Sequence, residues 1–201
     1  MKVDLKKTLK DLYSPSAQKP QTVTVPEMNF LMVDGHGDPN TSPEYAAAIQ
    51  TLYTLSYTLK FMVKKAGGAD YTVMPLEGLW WSKDITDFLT GNKANWDWTA
   101  MIMQPDYVNA ALVEEAVKAA KAKKPAPVLA PFRFASFNEG LSAQIMYLGP
   151  YADEGPTIER LHRFITDAGH QLRGKHHEIY IGNPQRTAPE KLKTIIRQPM
   201  E

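Results

Sequence analysis

Cysteine is absent from this chain of 201 residues. Without thiols, the sequence can form no disulfide, no thiolate nucleophile and no cysteine-ligated zinc or iron–sulfur site. An excess of either charge is also absent, since 23 Lys and Arg residues stand against 22 Asp and Glu residues. Dedicated nucleic-acid-binding proteins usually carry a strong basic excess, so we expect no nucleic-acid partner.

Long apolar runs are missing as well. No segment approaches the roughly 20 apolar residues that a membrane helix needs, and the N-terminal stretch MKVDLKK lacks the apolar core of a signal peptide. These absences predict a cytoplasmic protein with no membrane partner. The hydrophobic content of 43% still allows one substantial core or two small ones.

Two common signatures of catalytic sites are lacking too. The sequence contains no Gly-x-Ser-x-Gly motif. The glycine-rich turn at residues 34–38 lacks the Lys-Ser/Thr pair of a phosphate loop and precedes a proline-led helix. Any activity must therefore depend on residues that no such motif marks.

Turn and cap signals divide the chain into a lead-in segment, residues 1–25, and a single domain, residues 26–201. Thr41 or Ser42 caps a helix that starts at Pro43 and ends before Gly67. A connecting helix is predicted over about 106–124, a last helix over 156–173, and a connector over 82–95. The turn at residues 138–140 predicts a hairpin between the two strands that flank it. Strands are expected at 28–33, 71–81, 96–104, 132–137, 141–148, 176–181 and 192–198.

The order strand, helix, strand, strand occurs twice, over about 26–105 and about 128–200. Each long helix of the two repeats opens with a proline, at Pro43 and Pro156. We interpret this pattern as an internal duplication. It predicts an α+β fold in which one antiparallel sheet has two long helices on one face and a central ligand cleft on the other. The mild charge and the connecting helix are compatible with a monomer or a dimer.

A carboxylate stands inside a predicted strand near the C-terminus, in the stretch HHEIYIGNP (176–184). Side chains alternate between the faces of a strand. His176, Glu178 and Tyr180 therefore share one face, whereas Ile179 and Ile181 point the other way, into a core. An ordinary solvated position is the simplest interpretation of one such strand, but the aromatic residues elsewhere favour a functional role for Glu178.

Aromatic residues crowd the two strands that follow the first long helix. All four tryptophans lie between positions 80 and 98. A core role is the alternative for each of them, yet core packing rarely needs so local a supply. We therefore expect an aromatic wall that binds a ligand. Its candidate residues are Tyr71, Trp80, Trp81, Trp98, Phe134, Phe137 and Tyr180.

Two carboxylates, Glu77 and Glu178, fall on the predicted strands. An acid walled by aromatic rings loses hydration, and its pKa rises unless a partner stabilises the charged form. A ligand cation would be such a partner and gains about 0.5–2 kcal/mol from each ring face it meets. The other use of such an acid is proton transfer to or from water. For Glu77 the simpler interpretation is an exposed position on the sheet. For Glu178 a functional role is the favoured interpretation.

His176 and Glu178 also share a strand face at a spacing that suits a metal ion. No third ligand is evident from the sequence, and most such neighbours are structural. We therefore expect no metal and no other cofactor.

Four stretches carry a resemblance to a known family: PEMNFLMVDG (26–35), PLEGLWW (75–81), WDWTAMIMQPD (96–106), and HEIYI (177–181) with RTAPEKLKTIIRQP (186–199). They resemble the GyrI-like small-molecule-binding family, and more closely its stand-alone bacterial branch. That family's fold, a tandem strand-helix-strand-strand pair around a central cleft, agrees with the duplication. The resemblance implies that a buried glutamate among aromatic residues receives lipophilic cations, and the matching position here is Glu178, beside Tyr180.

Members of the stand-alone branch hydrolyse the strained cyclopropane of alkylating natural products. The resemblance therefore implies a hydrolase for flat, lipophilic aromatic molecules. Glu178 first, and Glu77 second, would be the acid–base residue, with Tyr147 or Tyr180 as the hydroxyl donor. The alternative is a non-catalytic, multidrug-type binding or sensing protein for lipophilic cations. A gyrase-inhibitor-like partner protein is a third hypothesis, whereas a transcription factor is not supported because the chain shows no helix-turn-helix.

Overall fold

The structure is a computed structural model that describes residues 2–83 and 91–201. These residues form ten β-strands and five α-helices. The strands are β1 (Lys2–Val3), β2 (Gln21–Val25), β3 (Met28–His36), β4 (Asp70–Tyr71), β5 (Leu76–Trp81), β6 (Asp97–Gln104), β7 (Arg133–Phe137), β8 (Gly140–Leu148), β9 (His176–Tyr180) and β10 (Lys193–Pro199). The helices are α1 (Leu5–Thr8), α2 (Lys10–Tyr13), α3 (Pro43–Lys65), α4 (Ala110–Lys121) and α5 (Gly155–Asp167).

The predicted α+β class is confirmed. Apart from the short parallel pair of β1 and β4, the strands pair antiparallel. The predicted duplication is visible as the order β3–α3–β5–β6, interrupted by the short β4, followed by β8–α5–β9–β10. Within the described residues, no helix combines the length and the apolar character needed to cross a membrane.

The chain divides into two compact units. Of the described residues, the first unit contains 2–5, 28–74, 81–83 and 91–137. Its strands β6, β3 and β7 form antiparallel pairs in that order. Helix α3 begins at the predicted position, with the Ser42 hydroxyl accepting the Tyr45 N–H and Pro43 in the first turn. It packs on β3 and β6 through a buried stripe that includes Ala48, Leu52 and Leu55.

The second unit contains residues 6–27, 75–80 and 138–201. Five strands follow one another in the order β2, β8, β10, β9 and β5, and every pair is antiparallel. Helix α5 packs on β8 and β10. Leu161 and Ile165 of this helix lie in one buried apolar core with Ile145 and Ile196 of the strands. The part of β5 at residues 76–80, from the first predicted repeat, thus pairs with β9 of the second.

Three local expectations were wrong. β7 and β8 do not form a hairpin, because β7 pairs with β3 while β8 pairs with β10 and β2. The last helix ends at Asp167 and not at residue 173, since Gly169 takes a positive φ of 82° that turns the chain. The strand expected over 71–81 is divided into β4 and β5. The lead-in segment contains β2, a strand of the second unit's sheet. The predicted connector over 82–95 lies partly outside the described residues.

Candidate functional site

Strand β9 places consecutive side chains on opposite faces of the sheet in the second unit. In the pairing with β5, Glu178 lies opposite Gly78 and His176 lies opposite Trp80. In the same register, Glu77 lies opposite Ile179 and Leu79 lies opposite His177. Partners that face each other across a ladder share one side of the sheet. Glu77 and Glu178, the two predicted acid–base residues, therefore lie on opposite faces and cannot act on one ligand together.

The first face carries a group that we call the Glu178 cluster: Trp80, Tyr151, Glu154, His176, Glu178 and Tyr180. The Tyr180 hydroxyl donates to Glu178 Oε2 at 2.7 Å. His176 Nε2 lies 3.1 Å from Glu178 Oε1, so each carboxylate oxygen has its own partner. Trp80 Nε1–H donates to the Tyr180 hydroxyl at 3.2 Å. The carboxylate is thus held in one orientation by a chain of hydrogen bonds that ends at an indole.

Aromatic rings lie beside this carboxylate, where Trp80 and Tyr151 both contact Tyr180. Tyr151 meets Tyr180 edge to face, with ring centroids 5.5 Å apart. Gly78 is required on the neighbouring strand, because a Cβ there would lie 2.7 Å from Nε1 of Trp80. Tyr151, Glu154 and Tyr180 are only half-buried, so the cluster reaches the surface through their side chains.

Helix α5 covers the same face. Ile196 on β10 lies opposite Glu178, and Ile196 packs in the apolar core that α5 forms with the sheet. The sequence reasoning placed Glu178 on the face without helices. The difference arises because both faces of β9 are buried, so Ile179 does not mark the only core side of the strand.

Glu178 is ionised although it is buried. Burial alone would raise the pKa of its carboxyl, but hydrogen bonding and charge from His176, with hydrogen bonds from Glu154 and Tyr180, together hold the pKa below its usual range. The rise expected for an acid among aromatic rings is therefore reversed, because protein partners stabilise the charged form. A negative charge is available at this position at neutral pH.

Glu154 is a member of this cluster that sequence reasoning missed. One ligand atom each from Glu154, His176 and Glu178 lies within 4.8 Å of the other two. Glu154 directly precedes α5 at its N-terminus. The sequence signal was an acidic residue just before a Gly-Pro helix start, but no periodicity links that turn to β9. The three groups together could hold one metal ion.

The opposite face carries a second group, the His177 cluster: Tyr13, Glu77, Glu139, His177 and Arg197. His177 Nε2–H donates to Glu77 Oε2 at 3.0 Å, and Nδ1–H donates to Glu139 Oε1 at 2.9 Å. Arg197 Nη1 donates to Glu139 Oε2 at 3.1 Å, and the Tyr13 hydroxyl donates to Glu77 Oε1 at 2.8 Å. Every one of these side chains is buried, with at most 3% of its residue exposed.

The charges of the His177 cluster balance. Burial alone would lower the pKa of His177, but Glu139 and Glu77 raise it to about 9. Burial alone would raise the pKa of Glu139, but His177 and Arg197 lower it to about 2. Two cations thus face two anions in a sealed site, which α2 closes through Tyr13 and through the Leu12 carbonyl that accepts from Arg197. We interpret this cluster as structural.

The remaining predicted residues lie elsewhere. The Tyr147 hydroxyl donates to the Pro150 carbonyl oxygen at 2.9 Å, and its ring belongs to the core under α5. Trp98 is fully buried in the first unit and packs edge to face on Tyr45 at 4.9 Å. The structure brings only Trp80 and Tyr180 of the predicted aromatic wall to the Glu178 cluster within the second unit. Tyr71 packs on Tyr107 and Phe137 on Phe30 in the first unit, where half-buried Phe134 and Trp81 also lie.

Comparisons with known proteins agree with this geometry. The family described as GyrI-like small molecule binding domain matches residues 18–200. An uncharacterized conserved protein from Listeria innocua is 40% identical, with a TM-score of 0.90 over 99% of this chain and 100% of the other. A hydrolase from Listeria innocua is 39% identical, with a TM-score of 0.87 over 99% and 100%. The EcmrR C-terminal domain shares the fold alone, at 14% identity and a TM-score of 0.53 over 91% and 97%. No curated protein sequence matches significantly.

Proposed function

Because the chain belongs to the GyrI-like small-molecule-binding domain family, we propose that it binds flat, lipophilic aromatic molecules at the Glu178 cluster and hydrolyses them. The observation that carries this proposal is the geometry of the buried Glu178 carboxylate, whose two oxygens are held by Tyr180 and His176 beside aromatic rings. The similarity to a protein named a hydrolase supports the choice of reaction.

The reaction that suits these residues is the addition of water to a strained cyclopropane conjugated with a carbonyl. Glu178 orients a water molecule and accepts one of its protons as general base. The water oxygen bonds to a ring carbon, and the carbon–carbon bond of the cyclopropane breaks. Its electron pair moves onto the conjugated carbonyl oxygen, which the Tyr180 hydroxyl polarises and which ends with a proton. The product is the substrate plus one water.

Tyr180 is a better hydroxyl donor for this step than Tyr147. The Tyr180 hydroxyl already contacts Glu178 and is oriented by Trp80 Nε1–H. The Tyr147 hydroxyl donates to a backbone carbonyl instead. The Tyr180 hydroxyl donates to Glu178 Oε2 in the structure, so its proton must turn from that oxygen to the substrate carbonyl when a substrate binds. Ring faces of Tyr151, Tyr180 and Trp80 would stack a flat substrate, since an aromatic pair contributes about 0.5–1.5 kcal/mol beyond its buried area.

One observation favours a second function, the binding of lipophilic cations without turnover. The lowered pKa of Glu178 keeps its charge at neutral pH, and a charged carboxylate among rings attracts an aromatic cation. The same low basicity limits how strongly Glu178 can pull a proton from water. With this second function we also expect the protein to sense such compounds, to be cytoplasmic, and to be a monomer or a dimer.

Mass spectrometry of a cyclopropane-bearing alkylator incubated with the protein tests the hydrolase directly. We expect a product that has gained one water, at a rate that falls by about 10²–10⁴ in Glu178→Gln. Tyr180→Phe should also slow the reaction. Glu190→Gln changes an exposed acid outside the Glu178 cluster and is the control that should not slow it. No gain of water across several such compounds would refute turnover.

Tryptophan fluorescence tests the cation-binding alternative. A rhodamine dye should quench the tryptophan emission of the wild-type protein and bind at least about tenfold more weakly to Glu178→Gln, a loss that corresponds to about 1.4 kcal/mol. Equal binding by both proteins would show that Glu178 is not the receptor for the cation. A binder without turnover would show the quenching and no product in either form.

A further inference from the structure

Three potential metal ligands meet in the Glu178 cluster, although the sequence shows only two of them. Glu178 and His176 come from β9, and Glu154 comes from the turn that precedes α5. One ligand atom from each lies within 4.8 Å of the others. Among the residues that the structure describes, this is the one group of three or more such side chains that meets this distance criterion.

The distances suit a small divalent ion. Ligand atoms around a tetrahedral zinc ion, with bonds of about 2.0–2.2 Å, lie roughly 3.3 Å apart. His176 Nε2 and Glu178 Oε1 are already 3.1 Å apart. Glu178 Oε2 is turned away from that point towards the Tyr180 hydroxyl, so Tyr180 fixes the carboxylate in the way that outer-shell partners orient metal ligands.

The charges point the same way. One carboxylate oxygen of Glu154 lies within 4.8 Å of one of Glu178, and two ionised carboxylates at this distance repel each other unless a proton or a cation lies between them. The side chains of His176 and Glu178 are 5% and 10% exposed, so water screens this repulsion poorly. A divalent cation would neutralise both acids and use the imidazole as a third ligand.

We propose that Glu154, His176 and Glu178 form a binding site for one zinc-class divalent ion. The mixed set of one imidazole and two carboxylates suits Zn²⁺, whereas Mg²⁺ and Ca²⁺ favour more numerous oxygen ligands. The half-buried Glu154 leaves the site open towards the surface, where water completes the coordination. The ion would occupy the side of Glu178 that faces His176, so the metal and a cationic or water-bearing ligand are alternative occupants of one carboxylate.

This site does not depend on the proposed hydrolysis, since metal binding is measured without substrate. Protein treated with EDTA and then dialysed would be titrated with zinc chloride by calorimetry, and cobalt chloride would be followed by visible absorption. We expect one ion per chain and a cobalt spectrum typical of low coordination number. Saturation without a defined stoichiometry, or no heat above dilution, would overturn the site.

Matched variants separate this site from ordinary surface binding. Glu154→Gln keeps the side-chain size at a half-buried position, and it should weaken zinc binding at least by the roughly 10–100-fold that loss of an outer-shell partner costs. His36→Ala removes the imidazole of an exposed pair whose Nδ1 lies 2.9 Å from Asp97 Oδ1, and it should bind zinc as the wild type does. Equal zinc affinity in Glu154→Gln, or an equal loss in His36→Ala, would disprove the assignment.

Turnover measured in EDTA distinguishes failure of the two proposals. Zinc binding without any water-addition product would support the metal site and refute the hydrolase. Hydrolysis in EDTA with no zinc binding would do the reverse. If both hold, added zinc should stop turnover in the wild type, because the ion occupies the carboxylate that would accept the proton.

Discussion

Raising the pH from 7 to about 9.5 should destabilise the protein through the loss of the His177 proton. The folded state binds the His177 proton more tightly than the unfolded chain does, since the pKa is about 9 in the folded protein and 6.5 is the ordinary value for histidine. A raised pKa means that the stabilisation is complete below pH 6.5 and is lost as the pH rises through 9. Glu77 and Glu139 accept from the ring, and Tyr13 and Arg197 donate in turn to these two carboxylates.

The size of the effect follows from the two pKa values. A difference of one unit corresponds to about 1.4 kcal/mol, so the shift of His177 represents about 3 kcal/mol of the free energy of unfolding. A domain's whole stability is about 5–15 kcal/mol. Loss of the His177 proton therefore removes a large fraction, because it leaves the buried carboxylates of Glu77 and Glu139 with less positive charge between them.

Urea unfolding at pH values from 6 to 10 measures this loss. The unfolding free energy should be constant near pH 6, fall by about 3 kcal/mol by pH 9.5, and show no matching fall in His177→Gln. If that variant fails to fold, nitrogen NMR of the wild-type imidazole gives the same answer, since both ring nitrogens should stay protonated up to about pH 9. Equal stability at pH 6.5 and 9.5, or an imidazole that is neutral at pH 7.5, would refute the reasoning.

Two substitutions test packing and hydrogen bonding elsewhere. Tyr13→Phe removes a buried donor to a carboxylate and should lower the free energy of unfolding in urea by about 1–3 kcal/mol. Tyr57→Phe, at a 47% exposed position, is the control and should leave it almost unchanged. Equal effects of the two substitutions would contradict the buried hydrogen bond. Gly35→Ala would place a Cβ 2.1 Å from a ring carbon of the fully buried Trp98 and should lower the unfolding free energy by about 1–3 kcal/mol or more. Gly155→Ala, with no atom within 4 Å of the added carbon, is its control, and a stable Gly35→Ala protein would show that the ring can move.

Local chemistry made several elements predictable. The first long helix could be located because Ser42 and Pro43 are start signals that act within one turn, and Gly67 is a stop signal with a positive φ of 82°. The turn before Gly140 was also real, with a positive φ of 72°. The hairpin predicted around this turn was wrong because β7 and β8 pair with strands that are distant in sequence, and no local pattern specifies such pairing.

The candidate site was predictable only along one strand. The alternation of β9 correctly grouped His176, Glu178 and Tyr180, because the period of a strand is a local property. The side on which Glu77 lies depends on the register between β5 and β9, which one sequence does not reveal. Glu154 and Glu139 reach β9 from separate turns, so no spacing connected them with it.

The alternation of β9 also has a consequence for how the strand is aligned during folding. His176 and His177 belong to clusters on opposite faces, and each cluster supplies the carboxylates for its own histidine. A slip by one residue along β10 would exchange the faces and place Glu178 where Glu77 and Glu139 already stand. Apolar residues alone would tolerate that slip, since both faces are buried. Electrostatic repulsion between unpaired buried acids therefore disfavours the shifted alignment relative to the correct one.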